Sequence, residues 1–260
     1  MISKLETLGW NERLGSLFAP YRASKLIPAR VISVNRGTVV VQSEMGTATI
    51  SIAGLFDSYG EAGPPVVGDW VGIDLIGDEG VLHVILPRAG TLNRRQTGKG
   101  DLAKIAAANV DLVLVIESLD RFPNPRRIER ACAIAWDGGA TPVVVLTKLD
   151  LCDDADTAVA RAREGAPFAD VLLVSAKVGV GMNMLASQLP SGSTAVLLGP
   201  SGAGKSTLVN RLLGGARFAV ADGRCDEQRG RDAGTLREIF FLPSGACLID
   251  TPGVRELGLL

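Results

Sequence analysis

Histidine and cysteine are scarce in this sequence. The 260 residues include one histidine, His83, and four cysteines, at positions 132, 152, 225 and 247. No two cysteines form a C-x-x-C pair, so neither a zinc knuckle nor a disulfide framework is indicated. His83 lies in the apolar run VLHVIL, where we expect a strand position rather than a catalytic role. The composition therefore favours a reducing compartment.

Long apolar runs and an excess of one charge are also missing. No stretch of about eighteen apolar residues occurs, and the N-terminus has no apolar core of the kind found in a signal peptide. We therefore expect a cytoplasmic protein without membrane contacts. The 27 basic residues nearly balance the 28 acidic ones, so the net charge indicates no particular partner. Contact with nucleic acid would have to come from local clusters.

One stretch carries a specific chemical pattern. Gly199 to Thr207, GPSGAGKST, fits the phosphate-binding pattern G-x-x-x-x-G-K-[ST]. A short apolar strand precedes it and a helix follows, so a helix N-terminus points at the phosphates. Lys205 can place its charge on the outer phosphates, and the Ser206 hydroxyl can bind Mg²⁺. The predicted nucleotide contacts here are Gly199, Pro200, Ser201, Gly202, Ala203, Gly204, Lys205, Ser206 and Thr207.

The first part of the chain is rich in short β-type runs. Five of them, separated by turn residues, predict a small closed barrel over 28–90, and an OB-fold is the commonest five-stranded candidate. Residues 1–27 are left as an N-terminal extension. Such barrels often bind nucleic acid, but this one lacks a dense aromatic surface for stacking bases. RNA binding and a purely structural role therefore both remain open for it.

A polar, basic segment follows the barrel. Residues 91–100 are predicted to be a linker, and the basic side chains around them are expected to be either solvated or bound to a phosphate backbone. These side chains are Arg88, Arg94, Arg95 and Lys99.

Strand and helix patterns alternate from residue 101 to 260. This alternation predicts a parallel sheet covered on both faces, with the ligand at the carboxyl ends of the strands. Two strand ends carry short motifs that resemble the guanine-reading motifs of GTPases. In the first, the Asp150 carboxylate can accept hydrogen bonds from two guanine donors that adenine does not present together. The predicted base contacts are Thr147, Lys148, Leu149 and Asp150, followed by Ser175, Ala176 and Lys177.

The last stretch of the sequence contains the remaining elements of a GTPase site. A charged segment over 222–234 ends at Thr235, and a later strand ends in Asp250-Thr-Pro-Gly253, a D-x-x-G motif. An aspartate in that position can hold Mg²⁺ through water, and the Gly253 N–H can contact the γ-phosphate. We predict Ser206, Thr235 and Asp250 as the metal residues, and Lys205, Thr235 and Gly253 as the catalytic ones.

The order of these motifs is unusual. In ordinary GTPases the phosphate loop and D-x-x-G precede the base motifs, whereas here the base motifs come first. A circular permutation explains this order, because the same site can be assembled from elements that follow one another differently along the chain. The predicted fold is therefore an α/β P-loop GTPase domain, circularly permuted, preceded by a small all-β OB-fold barrel.

The combination resembles a known family of circularly permuted, small-ribosomal-subunit-dependent GTPases, the RsgA (YjeQ/EngC) family. The resemblance covers Ala29 to Leu260. It rests on PVVGDW, AANVD, RRIER, GATPVVVLTKLDL and IDTPGVRELGL. It implies an OB-fold that contacts ribosomal RNA, a GTPase acting late in 30S maturation, and hydrolysis that the 30S subunit and its 16S rRNA stimulate.

The sequence departs from this family at two places. Members carry a C-terminal domain with a Cys/His zinc site, whereas this sequence stops at Leu260 and supplies no such ligands, so we expect zinc only in a domain that is missing here. The switch segment of the family usually contains G-R-H-T-T-T, but here it is Gly230-Arg-Asp-Ala-Gly-Thr235. Asp232 thus replaces a histidine, which bears on hydrolysis more than on binding.

The sequence-based hypothesis is a Mg²⁺-dependent, monomeric GTPase that converts GTP to GDP and phosphate. Val254 occupies the position where signalling GTPases often carry a water-orienting glutamine, so a partner or another loop must orient the water. Arg229, Arg231 and Arg255 are candidates, although each is expected to be solvated or bound to RNA. The alternatives are a GTP-gated RNA-binding module with little turnover, and a P-loop ATPase or kinase, which Asp150 opposes.

Overall fold

The N-terminal segment folds over one end of the barrel. The computed structural model describes residues 4–35, 37–52, 63–76, 79–94, 104–215 and 237–250. A 3₁₀ turn over Glu6–Leu8, helix α1 over Glu12–Phe18 and a second 3₁₀ turn over Ala19–Ser24 come first. Their apolar side chains form a cluster with Trp70, whose ring centroid lies 4.9 Å from that of Trp10. The N-terminal extension is therefore a packed cover.

Five strands close into a barrel. They are β1 (Ile27–Asn35), β2 (Thr38–Ser43), β3 (Gly46–Ser51), β4 (Trp70–Ile76) and β5 (Glu79–Ile85). Neighbours follow the order β1-β2-β3-β5-β4, and β4 pairs with β1 to complete the ring. Only β3 and β5 run parallel among these pairs. Alternating valines and isoleucines fill the interior. The predicted OB-like barrel is confirmed.

The start of the segment predicted to be a linker is a strand. Residues Thr91–Arg94 form β6, which pairs antiparallel with β7 (Lys104–Ala108). Leu92 is fully buried against the α/β core. A single apolar residue in a polar stretch gives no alternating pattern, so the sequence did not indicate this strand. Residues 95–100 lie outside the described residues.

The basic segment also differs from expectation at its first arginine. The guanidinium of Arg88 makes two bonds of 2.7 Å to the carboxylate of Asp69, which is fully buried. Arg88 is therefore neither solvated nor available to a phosphate backbone. The pair ties the end of the barrel to the PVVGDW segment.

The second unit is a parallel sheet with helices on both faces. Its strands are β8 (Leu112–Ser118), β9 (Thr141–Thr147), β10 (Asp170–Leu173), β11 (Thr194–Leu198), β12 (Arg237–Phe241) and β13 (Cys247–Asp250). Helices α2 (Pro125–Asp137) and α3 (Ala155–Gly165) cover one face, and α4 (Met182–Ser187) and α5 (Lys205–Leu212) cover the other. This confirms the predicted α/β domain. None of the helices in the described ranges is long and apolar enough to cross a membrane.

The strand order reverses direction between β8 and β11. Parallel neighbours follow the order β10-β9-β8-β11-β13, and β12 lies antiparallel at the β13 edge. The chain proceeds outward from β8 through β9 and β10, then returns to place β11 on the other side of β8. Such a reversal opens a crevice at the carboxyl ends of the strands.

One pair of strands joins the two units. Strand β1 of the barrel pairs antiparallel with β12 through Ser33 with Glu238 and Val34 with Arg237. The barrel and the α/β domain consequently share one continuous eleven-stranded sheet.

Candidate nucleotide site

The predicted site residues come from strand ends at one edge of the sheet. The base motif Thr147–Asp150 begins at the end of β9, Ser175–Lys177 follows β10, and the phosphate loop follows β11. These strands run parallel to β8 and β13, so all their carboxyl ends face the same side. The topology therefore brings together motifs that are far apart in the sequence.

The phosphate loop depends on glycine at three positions. Gly202 and Gly204 have φ of +75° and +85°, a region that favours glycine. A Cβ on Gly199 would lie 2.3 Å from the Ile116 carbonyl oxygen, so the loop passes directly against β8. Gly204 caps α5, which begins at Lys205. The loop backbone and the first turn of α5 thus form a cradle suited to phosphate oxygens.

Lys205 folds back over this cradle. Its Nζ donates to the carbonyl oxygens of Gly199 and Pro200 at 2.7 and 2.6 Å. The ammonium group is therefore held at the loop, where a phosphate group would meet it.

Thr147 links the first base motif to the phosphate loop. Its Oγ1 lies 2.6 Å from the Ala203 carbonyl oxygen and 3.1 Å from that of Glu117. Thr147 and Ala203 are both buried. One hydroxyl proton serves one acceptor at a time, and the shorter contact is to the loop. The base motif and the phosphate loop are thus fixed relative to each other.

Lys148 has a partner that the sequence did not reveal. Its Nζ donates to Asp120 at 2.7 Å, and the Ser118 hydroxyl donates to the other oxygen of Asp120 at 2.7 Å. These two hydrogen bonds hold the pKa of the Asp120 carboxyl below its usual range. Asp120 lies just after β8, so its place at a strand end was the available signal. It restrains the lysine stem that would lie along a base.

Asp150 links the two base motifs. The Ser175 hydroxyl donates to its Oδ1, and this bond, followed by the charges of Lys177 and Lys148, keeps the pKa of the Asp150 carboxyl low. The Leu149 N–H donates to the carbonyl of Val174, which joins the same two strand ends. Asp150 is exposed, so its carboxylate is accessible to a base that would bind there.

A cavity of about 420 Å³ lies between the second base motif and α5. Ala176 and Thr207, both predicted nucleotide contacts, line it together with Asn210, Arg211, Gly214 and Gly215. Sequence reasoning missed Asn210 and Arg211. Their spacing of three and four residues from Thr207 on α5 places them on its face and was the usable signal.

The sheet beneath the base motif contains a buried ion pair. Glu117 of β8 is buried, and the Arg127 guanidinium of α2 bonds its two carboxylate oxygens at 2.5 and 2.6 Å. The pairing raises the pKa of Arg127. It anchors α2 to the strand whose Glu117 carbonyl contacts Thr147.

The described metal residues suit a hard cation. Ser206 lies in the first turn of α5, and the backbone of Asp250 ends β13, which is a direct neighbour of β11. Hydroxyl and carboxylate oxygens are donors of the kind that Mg²⁺ prefers. The two residues belong to the helix that follows β11 and to the end of the neighbouring strand β13. Thr235 and Gly253 lie outside the described residues, as does the side chain of Asp250.

Comparison with known proteins gives a consistent result. The model of the RsgA GTPase family matches residues 85–260. A small ribosomal subunit biogenesis GTPase RsgA from Syntrophotalea carbinolica is 41% identical over 98% of this chain and 72% of the relative. The protein of the same name from Streptomyces coelicolor is 42% identical over 99% of this chain and 70% of the relative.

Solved structures show the same fold. YjeQ from Thermotoga maritima superposes with a TM-score of 0.67 at 24% identity, over 89% of this chain and 76% of that one. YloQ, described as a circularly permuted GTPase, gives a TM-score of 0.61 at 22% identity, over 89% and 73% of the two chains. The motif order and strand order described above agree with that permuted fold. The chain belongs to the RsgA GTPase family.

Proposed function

We propose that this protein hydrolyses GTP to GDP and phosphate and acts in biogenesis of the small ribosomal subunit. The observation that carries the proposal is the meeting of two guanine-type motifs with a phosphate loop, fixed to each other through Thr147 and Ala203. Two relatives of about 40% identity are named for the same process. We expect it to act as a monomer in the cytoplasm.

Guanine recognition falls to the base motifs in this proposal. The Asp150 carboxylate accepts from the ring N–H and the exocyclic amine of guanine, and a backbone N–H of Ala176 or Lys177 faces the guanine carbonyl. The Ser175 N–H is already bonded to the Val180 carbonyl at 2.9 Å. ATP does not offer the Asp150 carboxylate this pair of donors, so ATP binding lacks two hydrogen bonds that guanine supplies. The Lys148 stem lies along the base while Asp120 holds its ammonium group.

Catalysis would come from positioning and charge neutralisation. Lys205 and the loop N–H groups stabilise negative charge on the transferring phosphoryl group, and Thr235 and Gly253 complete the γ-phosphate contacts. Ser206, Thr235 and Asp250 would hold Mg²⁺, with Asp250 acting through water. When bound, the ion neutralises charge on the phosphate oxygens.

Hydrolysis by the protein alone should be slow. The Val254 side chain has no polar atom that could orient water, so another group must orient it. The 30S subunit, through its 16S rRNA, is the proposed source of this stimulation, and the OB-like barrel is the proposed RNA contact. Aromatic side chains are few, so phosphate contacts rather than base stacking would carry that binding.

Phosphate release from GTP tests the proposal. We expect slow release by the protein alone, at least tenfold faster release with 30S subunits, and no stimulation by 50S subunits. Lys205→Ala should reduce both rates to background. Equal rates with and without 30S subunits would contradict the proposed function.

The second candidate is a GTP-gated RNA-binding module with little turnover. Asp232, at the position where the family has histidine, is the observation that favours it. In that case GTP would strengthen binding to 30S subunits while phosphate release stayed at the Lys205→Ala background.

A further inference from the structure

A buried arginine lies where the barrel, the N-terminal segment and the α/β sheet meet. Arg30, on β1, is only 1% exposed. It lies near the amino ends of the parallel strands β8, β11 and β13, whereas the candidate nucleotide site is at their carboxyl ends. The proposed mechanism makes no use of this residue.

Arg30 binds one group from each neighbouring part. Its Nη1 donates to the Leu8 carbonyl of the N-terminal segment and approaches the Cys247 sulfur of β13 at 3.5 Å. Its Nη2 donates to the Thr194 hydroxyl of β11 at 2.7 Å. Three parts of the protein are thus joined through one side chain.

The arginine is not explained as an ordinary ion pair. Within the described residues no carboxylate forms a salt bridge with it, and its Nε has no hydrogen-bond partner. The carboxylates of Asp111, just before β8, and of Asp69 act on the guanidinium through their charge alone. Asp111 also accepts the Thr194 N–H at 2.8 Å. Trp70 of the barrel places its ring centroid 5.6 Å from the guanidinium carbon. Burying a cation whose hydrogen-bond partners are all neutral costs free energy, and the nearby carboxylate charges offset this cost only in part.

The strands that Arg30 contacts lead to the nucleotide site. Strand β11 runs from Thr194 to the phosphate loop, and β13 runs from Cys247 to Asp250. The strand that carries Arg30 also pairs with β12. A displacement of β1 therefore reaches both site strands at their amino ends, and the packed sheet transmits it along their length.

We propose that Arg30 is a positioning residue that couples the barrel to the nucleotide-binding sheet, so that the two units unfold and respond to nucleotide as one. The predicted response to nucleotide rests on the proposed function, whereas the predicted joint unfolding of the two units does not. Through this coupling, RNA bound to the barrel would alter the nucleotide site at the carboxyl ends of the same strands.

Tryptophans allow the two units to be followed separately. Trp10 and Trp70 belong to the barrel end, and Trp136 is a partly exposed residue of α2. In a Trp136→Phe background, tryptophan fluorescence reports on the barrel and far-ultraviolet circular dichroism reports mainly on the helices of the α/β domain.

The test compares Arg30→Met with the exposed control Arg22→Met in urea unfolding. With Arg30 present, and in the control, the two signals should have the same midpoint. In Arg30→Met the midpoints should separate by about 0.5 M urea or more. Saturating GDP with Mg²⁺ should raise the fluorescence midpoint of the Arg30 protein and leave that of Arg30→Met unchanged.

Two outcomes overturn the proposal. A single coincident transition in Arg30→Met, merely at lower urea, would mean that Arg30 adds stability without coupling. If Arg30→Met does not fold, Thr194→Val removes only the acceptor on β11 and should also separate the two signals; coincidence there overturns the proposal too. Failure of GDP to bind any variant would contradict the proposed function alone, because the comparison without nucleotide still decides the coupling.

Discussion

Buried charge is the most consequential feature at the scale of single residues. Asp69 has no exposed side-chain area and depends on Arg88 for two of its hydrogen bonds. Burial raises the pKa of the Asp69 carboxyl, and the bonds from Arg88 partly oppose that rise. The pair therefore contributes to how the stability of the barrel depends on pH.

Arg88→Met should leave this carboxylate buried without its cation. We expect a loss of about 3–5 kcal/mol in the free energy of unfolding at pH 8. A carboxyl whose folded pKa is raised destabilises the fold only while ionised, so the cost declines as the pH falls through that pKa. Urea midpoints of Arg88→Met should therefore move toward wild type between pH 8 and pH 5. The Arg22→Met control should show no such recovery, and a pH-independent deficit in Arg88→Met would contradict this account.

Thr147→Val tests the link between the base motif and the phosphate loop. The substitution keeps the shape of the side chain but removes the hydrogen bond to Ala203 or Glu117. We expect GDP affinity to fall about tenfold, because one buried hydrogen bond contributes about 1.4 kcal/mol. Titration calorimetry measures this, with Thr141→Val at the exposed start of the same strand as the control. Equal affinities of the two variants would show that the link does not shape the site.

At the scale of elements, the strand-loop-helix unit over 194–212 is the most constrained part of the site. In Gly199→Ala the new Cβ would lie 2.3 Å from a backbone oxygen of β8, which cannot move aside cheaply. We expect a loss of about 2–4 kcal/mol in stability and of detectable GDP binding. Gly15→Ala in α1 is the control, because its Cβ has ordinary room there and should stabilise the helix by about 0.5–1 kcal/mol. Normal GDP binding by Gly199→Ala would contradict the described loop geometry.

The elements themselves were largely predictable. Strand β9 and helix α2 belong to the alternation of strands and helices predicted from residue 101 to 260. Period-two and helical apolar patterns determine these segments locally. Strand β6 escaped prediction because its burial depends on a partner strand later in the chain. The N-terminal cover also escaped prediction, because its apolar residues follow no single period.

At the scale of the whole molecule, motif order and strand-end positions predicted which segments form the candidate site, but the contacts between these segments required the fold. A permuted chain can keep a site because strand order in the sheet, not order in the sequence, determines which strand ends meet. Asp120 and Arg30 could not be identified from the sequence, since each depends on partners that only the three-dimensional arrangement supplies. An arginine in a barrel strand gives no local sign that it will be buried.

The measurement that most directly tests the reassembled site is competition between GTP and ATP for the protein, made with wild type and Asp150→Asn. We predict that wild type prefers GTP by on the order of a hundredfold or more, because guanine offers the Asp150 carboxylate two donors that adenine does not present together. Asp150→Asn should lose most of that preference while keeping the phosphate contacts. Equal affinity of wild type for GTP and ATP, or an unchanged preference in Asp150→Asn, would contradict a guanine site at these strand ends.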